Sequence, residues 1–201
     1  MEIAILSSAY FGPVQWYQKL NRYDKCLIER YDHFVKQTYR NRCIIMTTQG
    51  PQSLTVPIEK FEALKCPMKD VRISDHGNWK HLHWNALMSA YGESPFFEFY
   101  TDDIRPFFEK QWKYLYDFNW EITEKVCELL DLRPHIEPTD EYLAPCRHDF
   151  RDVIRPKHPL PDEGFLPRKY YQVYGQKYGF VANLSILDLL FNEGNEAIFY
   201  L

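Results

Sequence analysis

The sequence predicts an α/β fold whose mixed sheet opens with a βαβ unit. An apolar run at residues 2–8, EIAILSS, has the length of a short buried strand. A Gly-Pro break follows, and residues 14–23, VQWYQKLNRY, place large apolar side chains at helical spacing. A second apolar run, DKCLIER at residues 24–30, comes next. A strand, a helix and a strand in this order form two parallel neighbours in one sheet.

Further strands are predicted after the opening unit. Residues 43–58 divide into two strands joined by a turn at Gly50-Pro51, because a Gly-Pro pair interrupts two β-branched runs. Residues 70–74 form another short strand. Near the C-terminus, residues 170–175 and 178–183 are rich in Tyr, Val and Phe, which also predicts strands.

A helical insert is predicted at about residues 78–132. Residues 78–92 form its first helix and end at a glycine. Residues 102–132 form two helices, which separate near residues 117–119. After the insert, residues 184–194 form a short apolar helix.

The Pro-rich loop at residues 135–170 contains six of the 13 prolines, so it cannot be regular for long. Aromatic and aliphatic residues recur through it, which indicates an ordered loop. The helix that follows has Ser185 and Asp188 at the spacing of a capping box, and Gly194 in the position of its C-cap.

Length and composition indicate a soluble single α/β domain, residues 1–201. The net charge of -4 disfavours non-specific binding of nucleic acid. No apolar run reaches the length of a membrane span, and no signal peptide precedes the first strand. Five scattered cysteines without a CxxC pair fit reduced thiols, so we expect a cytoplasmic protein.

The turn after the first strand is one candidate ligand site. Tyr10 and Phe11 lie in it, and Pro13 precedes a helix whose free backbone N–H groups could hold an anion. Neither GxGxxG nor a P-loop is present, so no cofactor is identified. The alternative is a tight hydrophobic turn.

The stretch RYDHFVKQTYRNRC, which follows the second strand, is another candidate site. Its polar groups alternate with aromatic rings, and it would end at the same sheet edge as the first turn. Lys and Arg bind phosphate or carboxylate, Asn orients hydroxyl groups and Tyr stacks on rings. The candidate residues are His33, Lys36, Tyr39, Asn41 and Arg42. The alternative is a charged connector whose aromatic residues fill a gap.

The C-terminal helix carries polar residues on an apolar background. Asp188 and Asn192 lie four residues apart on one face, and Asn183 precedes the helix. Such residues either cap the helix or belong to a site.

Two other polar clusters have weaker signals. His76, His81 and His83 do not share a helix face at ligand spacing, so no metal site is predicted, although a zinc hydrolase is the hypothesis that they would support. Residues 146–152, CRHDFRD, place a cysteine near a histidine, but they fit polar loop residues as well.

Several segments occur in an order that is typical of one bacterial family: AYFGPVQWYQKL, HFVKQTYRNR, LTVPI, WKHL, YGESPFF and NLSILDLLFNEG. On these segments the sequence resembles the WbqC-like protein family of bacteria along nearly its whole length. In that family the first turn usually runs Gln-Pro-Tyr-Phe, where this chain has Ser8-Ala9-Tyr10-Phe11.

The resemblance implies a role in surface-polysaccharide (O-antigen) biosynthesis. We expect a transferase that acts on a small-molecule substrate, a nucleotide-activated amino sugar. Lys36 and Arg42 would hold its phosphate or carboxylate, and His33 would act as the general base, since an imidazole can accept a proton near neutral pH. Asp188 would orient a partner group. A non-catalytic sugar-binding or scaffold protein of the same pathway is the alternative.

The opening is also similar to Rossmann-like folds of the nucleotidyltransferase branch, by analogy of fold. Those enzymes carry an HxGH-type motif in the first turn. Residues 11–14, Phe-Gly-Pro-Val, supply no histidine there. The analogy therefore implies a nucleotide site without implying adenylyl transfer.

Overall fold

A computed structural model, which describes residues 1–201, shows a mixed α/β fold that opens with a βαβ unit. Strand β1 (Ile3–Ser7), helix α1 (Val14–Arg22) and strand β2 (Lys25–Glu29) follow one another. The two strands are parallel neighbours, with Ile3 opposite Lys25. The α/β class and the βαβ opening are therefore confirmed.

The parallel sheet grows on both sides of β1. Strand β5 (Ile136–Pro138) pairs in parallel with the far side of β2. On the free side of β1, the backbone N–H of Ile5 donates to His148 at 2.9 Å, and the N–H of Phe150 donates back to Ile5 at 2.9 Å. The order is therefore residues 148–150, β1, β2, β5, so the chain changes direction across the sheet at β1.

A separate antiparallel hairpin follows β2. Strand β3 (Arg42–Thr47) pairs with strand β4 (Gly50–Thr55), and the two form a sheet of their own. The prediction of one mixed sheet was therefore wrong. The turn lies at Thr48 and Gln49, because Gly50 takes a positive φ of 106° and already pairs with Thr47 as the first residue of β4.

The helical region contains α2 (Trp79–Tyr91), α3 (Phe97–Ile104) and α4 (Leu115–Leu129). The predicted break at residues 117–119 was wrong, since they lie inside α4, where Phe118 and Asn119 are buried. The break falls at residues 105–114, where Pro106 cannot donate a backbone hydrogen bond and a 3₁₀ helix forms.

The strands predicted at residues 170–175 and 178–183 are also absent. The side-chain amide of Gln172 accepts from the backbone N–H of Val181 at 2.9 Å and donates to its carbonyl at 2.9 Å. One side chain therefore replaces a strand pairing, and the short helix α5 (Gly175–Tyr178) fills the space between.

The prediction of a strand at residues 70–74 is also wrong. Residues 68–70 form a 3₁₀ helix, and Arg72 and Ile73 each make a single bridge to a different segment. The bridge of Arg72 is to Tyr114, whereas that of Ile73 is to Ile58. Isolated bridges do not build a strand.

Helix α6 (Ile186–Glu193) closes the core at the C-terminus. The side chain of Ser185 caps it by accepting from the N–H of Leu187, whereas Asp188 turns into the core instead of completing the capping box. Gly194 ends the helix with a φ of 57°, and a Cβ there would lie 2.7 Å from the Phe96 ring. Only glycine satisfies both conditions.

One contiguous cluster of 50 buried apolar residues runs from Ala4 to Leu201. Many of the aromatic side chains, including Trp16, Trp79 and Trp84, belong to it. No helix combines the length and the apolar character needed to cross a membrane.

Candidate functional site

A pocket of about 600 Å³ lies at the carboxyl edge of the parallel sheet, and we call it the edge pocket. Its walls come from residues 31–40, which follow β2, from residues 142–155 of the Pro-rich loop, and from Lys65. Ligands of open parallel sheets bind at this edge, where the strand order changes direction. Its charged side chains are Asp32, Arg40, Lys65, Asp149, Arg151, Asp152 and Arg155.

Glu29, the last residue of β2, fixes the floor beneath the edge pocket. Its carboxylate is fully buried and accepts from the backbone N–H of Tyr31 at 2.9 Å and from the hydroxyl of Thr139 at 2.8 Å. It also accepts from the N–H of Leu143 at 3.0 Å and from Arg151 Nη1 at 3.0 Å. One side chain therefore joins β2, the end of β5 and the Pro-rich loop.

Arg151 is held by several partners at once. Its Nη2 donates to Asp149 at 2.6 Å and to the carbonyl of Leu143 at 2.9 Å. Its guanidinium carbon lies 5.1 Å from the centroid of the Tyr142 ring. A guanidinium bound on several sides is a rigid part of the wall.

Asp32 and Arg40 form a second buried ion pair in the same wall. Burial raises the pKa of Asp32, and the positive charge of Arg40 opposes that rise. Asp32 Oδ1 and Arg40 Nε have no hydrogen-bond partner in the chain. Both atoms are buried, so this bonding capacity is open only to a group that enters the wall of the pocket.

Other charged groups of the edge pocket are more accessible. Lys65 is exposed and makes no ion pair, and half-buried Arg155 pairs only with exposed Asp152. His33, also exposed, lines the pocket beside them. Three of the four cationic side chains are paired with acids, so Lys65 is the cation of the lining that remains free to bind an anionic group.

The structure separates the residues predicted in the stretch after β2. His33 lines the edge pocket, and Tyr39 lines a small gap next to it together with Arg40. Lys36 is exposed but lies outside the lining. Asn41 Nδ2 donates to the carbonyl of Val56 at 2.8 Å. Arg42 Nε donates to the hydroxyl of Thr55 at 3.1 Å on the hairpin.

The predicted binding residues of the first turn are enclosed in the core. Tyr10 and Phe11 are both 0 % exposed. The Tyr10 hydroxyl is 2.8 Å from His83 Nδ1, and the Phe11 ring stacks on Phe108. Neither side chain is accessible to a ligand in this structure, because the α2 region covers the turn.

The start of α1, predicted to receive an anion, is occupied by the chain itself. The N–H of Val14 donates to the carbonyl of Leu184 at 3.0 Å, and that of Gln15 donates to Asn183 Oδ1 at 2.9 Å. Asn183 thus caps α1 from a distant segment.

Asp188, a predicted catalytic residue, is buried and bonded to other side chains of the core. Its carboxylate accepts from Tyr91 at 2.9 Å, from Tyr170 at 2.6 Å and from Gln172 at 2.9 Å. Burial raises its pKa, and the three donors oppose that rise. The group ties the end of the Pro-rich loop to α2 and α6.

The three histidines of the metal hypothesis do not converge. His83 is buried against Tyr10, and His81 Nε2 contacts Asn85 at 2.9 Å, whereas His76 is exposed. No three His, Cys, Asp or Glu side chains form a group that could hold a metal ion.

Sequence reasoning missed Asp32, Arg40 and Arg151. Asp32 and Arg40 lie inside the candidate stretch RYDHFVKQTYRNRC, where charged residues alternate with aromatic residues. Arg151 lies in the segment at 146–152 that resembled ordinary loop residues. Its contact with Glu29 joins positions 122 residues apart, a pairing that local pattern does not contain.

Comparison with known sequences decides the family. A sequence profile described as the WbqC-like protein family matches residues 8–155, about three quarters of the chain. The chain belongs to the WbqC-like protein family. All residues that line the edge pocket in this WbqC-like protein fall inside the matched range, whereas α6 lies beyond it.

A relative in Mycobacterium tuberculosis is similar to this WbqC-like protein over its full length. The relative, named uncharacterized protein Rv1507c, is 26% identical over 225 aligned residues, which cover 100% of this chain and 97% of the relative. No solved structure matches the chain.

Proposed function

We propose that this WbqC-like protein is a transferase of surface-polysaccharide biosynthesis that acts on a nucleotide-activated amino sugar. The observation that carries the proposal is the edge pocket, a concave site with four cationic side chains at the carboxyl edge of a parallel sheet. The pathway comes from the resemblance to the family, and the ligand class comes from the chemistry of the pocket.

The cationic side chains suit the diphosphate of a sugar nucleotide. Lys65 and Arg155 are accessible, so they can move to meet phosphate oxygens. Arg40 keeps an unused Nε in the deeper wall. Guanidinium groups bind phosphate through paired N–H donors.

Aromatic rings in the walls suit the flat parts of such a ligand. Tyr31, Phe34 and Tyr142 line the pocket, and Tyr142 is 57% exposed. A tyrosine ring can stack on a base or a sugar face while its hydroxyl makes a hydrogen bond. The location at the sheet edge and the change of strand direction at β1 support the proposal of a Rossmann-like site.

Two side chains can take up a proton during transfer. His33 lines the pocket and is exposed, whereas the Asp32 oxygen that has no partner is buried. A general base would deprotonate the amino or hydroxyl group that receives the transferred group. His33 fits this role because it can reach a ligand without breaking a buried ion pair.

A binding screen tests the proposal. Thermal shift and calorimetry would compare UDP-N-acetylglucosamine, dTDP-glucose, free nucleotides and acyl-CoA donors, since a ligand of the folded state raises its melting temperature. We expect a sugar nucleotide to bind, and we expect Lys65→Ala and Arg155→Ala each to weaken it about tenfold through loss of one charged hydrogen bond.

Lys36→Ala and Arg42→Ala are the matched controls. They remove equal charges outside the edge pocket, so sugar-nucleotide affinity should stay within about twofold. Loss of binding in these two variants alone would show that Lys36 and Arg42 form the binding site, as the sequence predicted. Binding of no phosphorylated ligand would refute the proposal, and binding without turnover would favour the sugar-binding alternative.

A further inference from the structure

A second pocket, of about 410 Å³, lies between the start of α2 and the 3₁₀ helix at residues 105–108. We call it the helix pocket. It shares no lining residue with the edge pocket, and three of its ten lining residues are hydrophobic. An inference about it therefore goes beyond the proposed function and does not depend on it.

The hydrophobic part of the helix pocket is entirely aromatic. Trp79, Trp84 and Phe108 supply it, and the rings of Trp84 and Phe108 lie 5.8 Å apart. Trp84 also stacks on Phe97, so its orientation is fixed by the core. Fixed aromatic walls can take a flat apolar surface without a loss of side-chain entropy.

The same pocket contains an unused hydrogen-bond donor. Trp79 is 4% exposed, and its indole N–H has no hydrogen-bond partner in the chain. Buried indole N–H groups usually find a partner. Asn78 is next to it and is exposed, and its side chain does not cap α2 although it lies in the N-cap position. Asn78 can therefore bond directly to a ligand, and the buried Trp79 N–H is a donor that the chain leaves unused.

The charges of the helix pocket are satisfied within the chain. Lys80 Nζ donates to the carbonyl of Lys110 at 3.0 Å and to Gln111 Oε1 at 2.9 Å, and Asp75 is 3.8 Å away. Arg105 Nε donates to Glu109 at 2.7 Å. Little net charge remains there for an ionic ligand. A neutral ligand with many hydrogen-bonding groups fits best.

We propose that the helix pocket binds a neutral saccharide. The apolar C–H face of a pyranose ring would lie against the tryptophan wall, and its hydroxyl groups would meet Asn78, the Trp79 N–H and Gln111. Seven polar lining residues around a small aromatic wall suit a ligand whose rim is hydroxylated on all sides. A planar heterocycle would use the rings but leave most of those polar groups without partners.

Saturation-transfer NMR tests the inference on the full chain. The probes are N-acetylglucosamine, galactose, mannose and glucose at millimolar concentration, with adenosine as the planar comparison. At least one sugar should show saturation transfer from the protein. Asn78→Gly should weaken that signal without changing any signal from adenosine, which the edge pocket could bind. Asn78→Gly, which tolerates the positive φ of 48°, and Gln111→Ala should each raise the sugar Kd about tenfold.

Gln176→Ala and Lys65→Ala, at exposed positions outside the helix pocket, are the controls, and neither should change the sugar Kd. Melting temperatures would show that Asn78→Gly and Gln111→Ala remain folded. No signal from any sugar, or affinities that both pocket variants retain, would overturn the inference. Loss of the signal in Lys65→Ala would move the saccharide to the edge pocket and overturn it too. Because the probes lack phosphate, failure here leaves the test of the proposed function unaffected.

Discussion

Arg151 Nη1 lies 3.0 Å from Glu29 Oε2, and this contact joins two chain segments 122 residues apart. Both side chains are buried, at 7% and 0% exposure. The contact connects the end of β2 with the Pro-rich loop, so the loop forms a permanent wall of the edge pocket. The shape of the edge pocket therefore depends on this ion pair as well as on the sheet.

Removal of Arg151 should cost much of the stability of the protein. Arg151→Met keeps the aliphatic stem but leaves the carboxylates of Glu29 and Asp149 without their cation. Breaking a buried pair in this way costs about 3–5 kcal/mol. Urea denaturation, followed by circular dichroism, would measure the loss in the free energy of unfolding.

Arg133→Met is the control for that measurement. Arg133 is 91% exposed and pairs with exposed Asp131 at 3.6 Å, so its loss should cost less than about 1 kcal/mol. Equal effects of the two substitutions would show that the Glu29–Arg151 pair is not what fixes the loop.

His83 should make the protein less stable in mild acid. Burial lowers the pKa of His83 from 6.5 to about 4, although a backbone hydrogen bond with Thr55 opposes this. The folded state therefore holds the neutral form, and the stability is lost as pH falls from about 6.5 towards 4. The loss amounts to roughly 3 kcal/mol at most, since one pKa unit corresponds to about 1.4 kcal/mol.

His83→Gln isolates this effect. Denaturation curves of the wild type and of His83→Gln between pH 7 and about pH 4 should converge as the pH falls. His81→Gln, at an exposed position on the same helix, should follow the wild type. A constant difference between His83→Gln and the wild type would mean that His83 titrates normally.

The opening of the chain could be predicted because its signals are local. Apolar runs that flank α1 are enough to define a βαβ unit. Gly194 ends α6 because glycine readily adopts the positive φ found at the end of a helix. The segment at 170–183 has strand composition, yet Gln172 replaces the ladder with its side chain. The pattern of apolar and polar residues does not show that a side chain takes the place of strand pairing there.

In the candidate site, too, residues with local signals could be predicted and residues that depend on distant contacts could not. His33 could be predicted, because it follows β2 and the end of a parallel strand is a favoured ligand position. Tyr10 could not be placed from sequence, since a turn residue is normally exposed and only the packing of α2 covers it. Arg151 acquires its role through a distant partner, which the sequence does not specify.

Asp188 should act through stability and not through ligand binding. Asp188→Ala would leave the hydroxyls of Tyr91 and Tyr170 and the amide of Gln172 buried without their acceptor. One unsatisfied buried group costs about 1–3 kcal/mol, so the total should be at least about 3 kcal/mol. Urea denaturation would measure it.

Asp188→Asn separates the two roles of this residue. It keeps one carbonyl acceptor, so the protein should stay folded with a smaller loss of stability. Calorimetry of this variant with a sugar nucleotide that binds the wild type should give an unchanged Kd. Loss of binding or of turnover in a folded Asp188→Asn would restore the catalytic role that the sequence suggested.

The Lys19–Asp162 ion pair should control the proteolytic stability of the Pro-rich loop. Lys19 is 0% exposed, and its Nζ lies 2.6 Å from Asp162 Oδ2. Burial alone would raise the pKa of Asp162, but hydrogen bonds from Lys19 and Gln15 hold it below its usual value. Lys19→Met leaves that carboxylate without its cation, so the loop at 155–169 should detach from α1 more often.

Limited trypsin digestion would detect this opening, since the loop offers Lys157, Arg168 and Lys169 as cleavage sites. Cleavage within the loop should be faster in Lys19→Met than in the wild type. Lys25→Met, which breaks a more exposed pair with Glu137, should cleave at the wild-type rate. Equal rates in all three proteins would mean that the contacts at Glu29 hold the loop without help from α1.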